Sequence, residues 1–185
     1  MARLLTLLVV GATVVLPFFG ATTAPAAEDG WQQAGLRAGT RFGEGKKAFQ
    51  MYEAFAAYAL PWEWRNSSGW GLAPRLTVAA GALTSSDVSG FIGTAGAGVL
   101  VGKPKTGPGL EVAVMAALLD KRTFGTYDLG SMLLFGGSVG VSWRFPCGLG
   151  LAYHIKHLST GHLFYSDHTP NPGLDMHMIE ASWHW

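Results

Sequence analysis

The stretch Leu133-Leu134-Phe135-Gly136-Gly137-Ser138-Val139-Gly140-Val141-Ser142-Trp143-Arg144-Phe145 decides the fold. Its odd positions are Leu133, Phe135, Gly137, Val139, Val141, Trp143 and Phe145, whereas the even ones include Gly136, Ser138, Gly140, Ser142 and Arg144. A period of two means an extended strand, because successive side chains point to opposite faces of the chain. One face is greasy and the other small or polar. The split recurs in Leu110, Val112, Val114, Ala116 and Leu118 against Glu111, Ala113, Met115 and Ala117. It recurs again in Leu72, Leu76, Val78 and Ala80 against Arg75, Thr77 and Ala79. The same reading along the chain predicts strands near 33–43, 48–60, 69–82, 89–101, 109–120, 131–145, 148–159 and 174–185. Each is about long enough to cross a bilayer as a tilted strand. Turn signals separate them: Gly43-Glu44-Gly45, Asn66-Ser67-Ser68-Gly69, Ser85-Ser86-Asp87, residues 104–109 and Pro146-Cys147-Gly148.

Composition narrows the class. The chain has 185 residues, of which 49% are hydrophobic and 14% charged, enough for one domain but too apolar for disorder or for an ordinary soluble protein. Lys and Arg number 13 against 12 Asp and Glu, so no charge excess exists to hold nucleic acid. The lone Cys147 makes no internal disulfide and no C-x-x-C redox or zinc pattern. At the start, Arg3, the nearly all-apolar residues 4–19 and Ala24-Pro25-Ala26 read as a secretory signal, residues 1–26, cut before Ala27. Beyond Phe19 the longest apolar run, 112–119, is far short of the roughly 20 residues of a transmembrane helix.

A soluble sandwich or lipocalin-like barrel would turn the greasy face inward. Here the opposite face is dominated by Gly, Ala and Ser, with Glu53, Arg75, Glu111, Arg144, Lys156 and Glu180 among them. That set suits the narrow, charge-paired interior of a small barrel, where Arg75, Arg144 and Lys156 are the candidate partners of Glu180. The expected fold is therefore all-β, an eight-stranded antiparallel transmembrane barrel of the outer membrane spanning residues 27–185. Trp62, Trp64, Trp70, Trp143, Trp183 and Trp185 fall near strand ends, where aromatic girdles belong. With both termini periplasmic, loops 43–47, 83–88, 120–130 and 158–174 face the exterior, and turns 61–68, 102–108 and 146–147 the periplasm.

The chemistry gathers at the C-terminus, where all six histidines, 154, 157, 162, 168, 177 and 184, occur. His154-x-x-His157 is a poor metal pair, since strand residues three apart face opposite ways. The outward parity of Leu149, Leu151, Tyr153 and Ile155 continues to His157 and Ser159, and that of Ile179, Ala181, Trp183 and Trp185 extends back to His177 and Asp175. Glu180 falls inside. A serine, a histidine and a carboxylate thus converge at the exterior end of two adjacent strands, on the lipid side. In an ester-cleaving site His157 would take the Ser159 proton while Asp175 holds the imidazole tautomer. For any one of them, a polar strand end meeting water and headgroups is the plainer account; three together shift the balance toward chemistry without deciding it. A phospholipase, a palmitoyl transferase, or a non-enzymatic structural or adhesive barrel stays open at this point.

His157-Leu158-Ser159, followed by Pro170-Asn171-Pro172-Gly173-Leu174-Asp175, resembles the H-x-S-N … P-N-x-G-x-E signature of the PagL-type lipid A 3-O-deacylases, the acyloxyacyl hydrolase-like outer-membrane barrels. The resemblance covers the mature chain in outline: signal, strand spacing, a sixth strand ending Trp143-Arg144-Phe145, then the motif. It implies a serine esterase without metal or cofactor that removes the 3-hydroxyacyl chain at position 3 of lipid A, with Ser159, His157 and Asp175 as the triad. Thr160 stands where the family has Asn, and Asp175 where it has Glu. Thr160, Gly161 and Asn171 are the oxyanion candidates, and Lys46, Lys47, Lys121 and Arg122 candidates for the lipid A phosphates. The implied partners are lipopolysaccharide and outer-membrane lipid, with no nucleic acid; a homodimer is left open.

Overall fold

The computed structural model describes residues 22–23, 30–43, 48–85, 88–103, 105–161 and 173–185. Eight long strands carry the fold: β1 Gly30–Arg41, β2 Gln50–Ala59, β3 Gly71–Ser85, β4 Val88–Gly102, β5 Gly107–Leu119, β6 Leu133–Arg144, β7 Leu149–Ser159 and β8 Leu174–His184. Each pairs antiparallel with its sequence neighbours, and β8 closes on β1 through pairs such as Ile179↔Ala38. Closure leaves no sheet edge among the eight. The two-residue strand Thr22–Thr23 pairs with Trp64–Arg65; the rest of the expected signal lies outside the described residues.

The expected alternation holds on the outer wall, where Leu36, Val78, Val112, Val114, Val139, Val141, Leu151 and Ile179 are exposed. All seven tryptophans sit at the end that carries both termini. Trp31 joins this girdle because a register shift between Trp31 and Gln33 inserts an extra residue and reverses its face. At the opposite, outer end the expected 83–88 loop shrinks, since pairing runs on to Ser85↔Val88.

The interior departs from expectation. Its inner half is polar as foreseen, but the partners differ. Glu180 bonds Arg37 at 2.7 Å and Gln33 at 2.8 Å, rather than Arg75, Arg144 or Lys156. Lys156 bonds Glu53 at 2.6 Å, and Arg75 pairs with Glu111. The outer half is instead a dry apolar plug, with Met51, Leu83, Ile92, Leu134, Leu158, Leu174, Met176 and Met178 all fully buried. A small hairpin, Thr123–Phe124 with Tyr127–Asp128, packs Phe124 against Phe49 at 5.5 Å between ring centroids. Each such side chain contributes roughly 1.5–3 kcal/mol of burial. Near this end, strands such as Leu118-Leu119 and Leu133-Leu134 are apolar on both faces, so their inward residues form a second core.

Candidate active site

The inward anchors of β7 and β8 set what faces outward. Leu158 and Leu174 are fully buried in the plug and lie opposite each other in the register. Lys156 and Met176, also buried, repeat the arrangement one step further in. With alternate residues pinned inside, His157, Ser159 and Asp175 have only the outer face left.

His157 and Asp175 are direct cross-strand partners, and Nδ1 of the imidazole lies 2.7 Å from Oδ1 of the carboxylate. The imidazole is 53% exposed and Asp175 30%, so the pair stands on the open wall. A carboxylate at Nδ1 fixes the ring's orientation and directs Nε2 toward whatever reacts. Ser159 follows on the same face, where its hydroxyl accepts the Gly161 N–H at 3.3 Å. Gly161 has φ +62°, a left-handed corner that suits glycine. Among the described residues no hydrogen bond joins Ser159 to His157. Alternate strand residues are about 6.5–7 Å apart at Cα, a gap the two side chains can bridge. Such bonds commonly tighten only when substrate binds.

The surroundings keep this place open and rigid. Gly137 on β6 lies opposite His157, so no side chain covers the imidazole from that strand, while Phe135 stands opposite Ser159. Gly173, at φ +61°, brings its backbone so close that an added Cβ would lie 3.2 Å from Cε1 of His157. Its carbonyl accepts a bond from Arg41 Nη2 at 3.0 Å, and Arg41 is in turn bonded to the Tyr127 hydroxyl. Arg41 and Tyr127 were not singled out by the sequence. Arg41 has inward parity on β1, but nothing in a linear pattern tells which corner it reaches.

The other sequence candidates are placed as follows. Thr160 is buried, so its side chain points away from the Ser159 hydroxyl and only its backbone remains an oxyanion donor. Lys121 bonds the Ser89 carbonyl at 2.7 Å and lies 3.9 Å from Asp120, and Arg122 lies 3.6 Å from Asp128. Lys46, Lys47 and Asn171 lie outside the described residues. His154 is buried in the lumen, on the face opposite His157, with Nε2 3.2 Å from Glu180. Glu111, His154 and Glu180 bring three donor atoms within 4.8 Å of one another. Both carboxylates already hold guanidinium groups, so a metal cation there would sit against Arg37 and Arg75.

A closed eight-stranded barrel with a histidine–carboxylate dyad and a serine on its outer wall has the layout of an outer-membrane protein whose chemistry faces lipid. Comparison makes the class definite. The profile of the lipid A 3-O-deacylase (PagL) family matches residues 50–184, from the first residue of β2 to the last of β8, and the chain belongs to that family. It is also similar to a solved structure described as the crystal structure of the outer membrane enzyme PagL. That likeness has a TM-score of 0.65 over 82% of this chain and 99% of the other, at 16% identity, and speaks for the fold. A search of curated proteins returns no match. The barrel fold and the lipid A deacylase assignment expected from the sequence are thereby borne out.

Proposed function

We propose that the chain, exported by its signal segment to the outer membrane, removes the 3-hydroxyacyl ester at position 3 of lipid A with Ser159 as nucleophile, His157 as general base and acid, and Asp175 as orienting acid. The Ser159 oxygen attacks the ester carbonyl carbon as its proton passes to His157. The resulting oxyanion is held by the Gly161 and Thr160 N–H groups. Collapse breaks the acyl–sugar bond, and His157 returns the proton to the departing sugar hydroxyl. Water, activated by the same imidazole, then cleaves the acyl-serine and frees the 3-hydroxy fatty acid. The observation that carries this reading is the 2.7 Å His157–Asp175 bond beside Ser159 on the lipid side of the wall. On this reading the dyad stands at the outer end of the wall, where acyl esters of outer-leaflet lipid A meet the headgroups. Lys46, Lys47, Lys121 and Arg122, in or beside the outer connections, supply cations for its phosphates.

Mass spectrometry of lipid A from cells expressing the chain tests it. Wild type should remove one 3-hydroxyacyl mass and Ser159→Ala none, with phospholipid left intact by both. Full activity of the Ser159→Ala barrel, or phospholipid cleavage in place of lipid A cleavage, overturns the proposal.

A further inference from the structure

Gly173, whose backbone closes on the His157 ring, lies just outside the strand ladder. The β7–β8 pairing ends at Leu158↔Leu174 and the β8–β1 pairing at Met176↔Arg41, so among the described residues no register pair holds Gly173. Asp175, two residues on, is tied to β1 by its carbonyl, which accepts the Phe42 N–H at 3.0 Å. Gly173 is held instead from inside the barrel. Nη2 of Arg41 donates to the Gly173 carbonyl at 3.0 Å and also to the Tyr127 hydroxyl, which in turn donates to the same carbonyl at 3.4 Å. The guanidinium, the phenol and the carbonyl thus close a triangle directly behind the dyad.

A cation is a costly choice at this place. The guanidinium carbon lies 4.7 Å from the ring centre of Tyr127 and 5.7 Å from that of Phe49, and Phe49, Leu174 and Met176 are fully buried in the plug. An apolar side chain would fill such a position without losing hydration. What only arginine supplies is a planar fork that holds a carbonyl and a hydroxyl together while its face rests on aromatic rings. We propose that Arg41 is a positioning residue of the deacylase site: clamped by Tyr127, it fixes the Gly173 corner and, through it, the setting of His157 and Asp175 from the lumen side of the wall. Arg41 itself touches neither the lipid nor the reacting atoms. The hairpin that carries Tyr127 then belongs to the frame of the site, and the dyad is fully set only when that hairpin is seated over the mouth. This rests on His157 and Asp175 acting as proposed.

The test measures kcat and KM on lipid A for the full barrel folded in detergent micelles. Arg41→Met keeps a long side chain but removes the fork; kcat should fall on the order of tenfold or more, as a slightly misplaced base costs rate, with KM nearly unchanged. Arg41→Lys, which offers an ammonium in place of the fork, should recover part of that loss, and Tyr127→Phe should lower kcat about threefold. Ile92→Ala loosens the same plug from β4, across the barrel, and should lower heat stability while sparing kcat. Wild-type kcat in Arg41→Met, a rise in KM alone, or an equal loss of kcat in Ile92→Ala overturns the positioning role. If Arg41→Met does not fold, the other two variants decide, and wild-type kcat in both Arg41→Lys and Tyr127→Phe overturns it. Asp175→Asn is measured alongside: full activity there overturns the dyad, and the role of Arg41 with it, whereas a slow Asp175→Asn beside a fast Arg41→Met overturns Arg41 alone.

Discussion

Changing Asp175 to Asn should slow deacylation by close to two orders of magnitude while leaving KM nearly unchanged. The His157–Asp175 heavy atoms are 2.7 Å apart, and the centres of an imidazolium and a carboxylate so bonded lie about 4 Å apart. At that separation the attraction is roughly 4 kcal/mol at an effective dielectric near 20 and roughly 1 kcal/mol in bulk water. Asp175 is 30% and His157 53% exposed, so solvent screening places the pair between these limits. A value of about 2.5 kcal/mol corresponds to roughly a seventyfold loss of rate. A buried triad loses on the order of ten-thousandfold from the same change, and the open wall accounts for the difference. KM is spared because the carboxylate touches the imidazole and not the lipid.

Glu180→Gln is the matched control. Glu180 is buried in the lumen, where it holds Arg37 and Gln33 and lies beside His154. Turnover should change less than twofold, while the barrel should lose on the order of 3 kcal/mol because Arg37 is left buried without its counter-charge. Deacylation rates of folded barrels, with gel mobility before and after heating as the measure of folding, decide between the two carboxylates. An inactive Glu180→Gln beside an active Asp175→Asn would refute both the acid assignment and the register of β8.

Two further outcomes follow from the same geometry. His157→Ala should abolish deacylation with the barrel intact, His154→Ala should keep most of the activity at some cost in stability, and a chelator should change neither; equal rate losses from both substitutions would point to a metal pair. Gly173→Ala should lower kcat several-fold, because its Cβ would meet His157 Cε1 at 3.2 Å in a backbone conformation unfavourable for alanine. An unaltered rate, measured on the same lipid A, would show that this corner does not position the imidazole.

The barrel was legible because the outer wall must be apolar at every outward position, and that constraint writes a period of two into each strand. It also placed His157, Ser159 and Asp175 on one face, since parity needs no knowledge of distant partners. What parity cannot supply is which side chains meet across the lumen. Arg37 and Glu180 are 143 residues apart in sequence and become partners only through the β8–β1 closure. The plug was hidden for a related reason. Phe124 belongs to a loop with no alternation, and its burial against Phe49 depends on how that loop folds over the mouth. Arg41 and Tyr127, which hold the Gly173 corner, are likewise joined only in three dimensions.

The two halves of the interior bear on why the reactive groups stand outside. Among the described residues the inner half is filled by ion pairs and the outer half by apolar side chains with a hairpin packed on them, which leaves no passage for a lipid through the lumen. On the proposed reading, substrate reaches the wall by lateral diffusion in the leaflet, and the site is assembled without a pocket to enclose it. Strand register takes over that task. His157 opposes Asp175 because Leu158 opposes Leu174 in the plug behind them, and Gly137 leaves the imidazole uncovered where an acyl chain would lie. If His157 and Asp175 act as proposed, the closed sheet holds them in place before the lipid arrives, and such preorganisation is what an exposed dyad needs for catalysis. The apolar plug, which contributes nothing to the chemistry directly, is in this sense the support on which the reacting face is built.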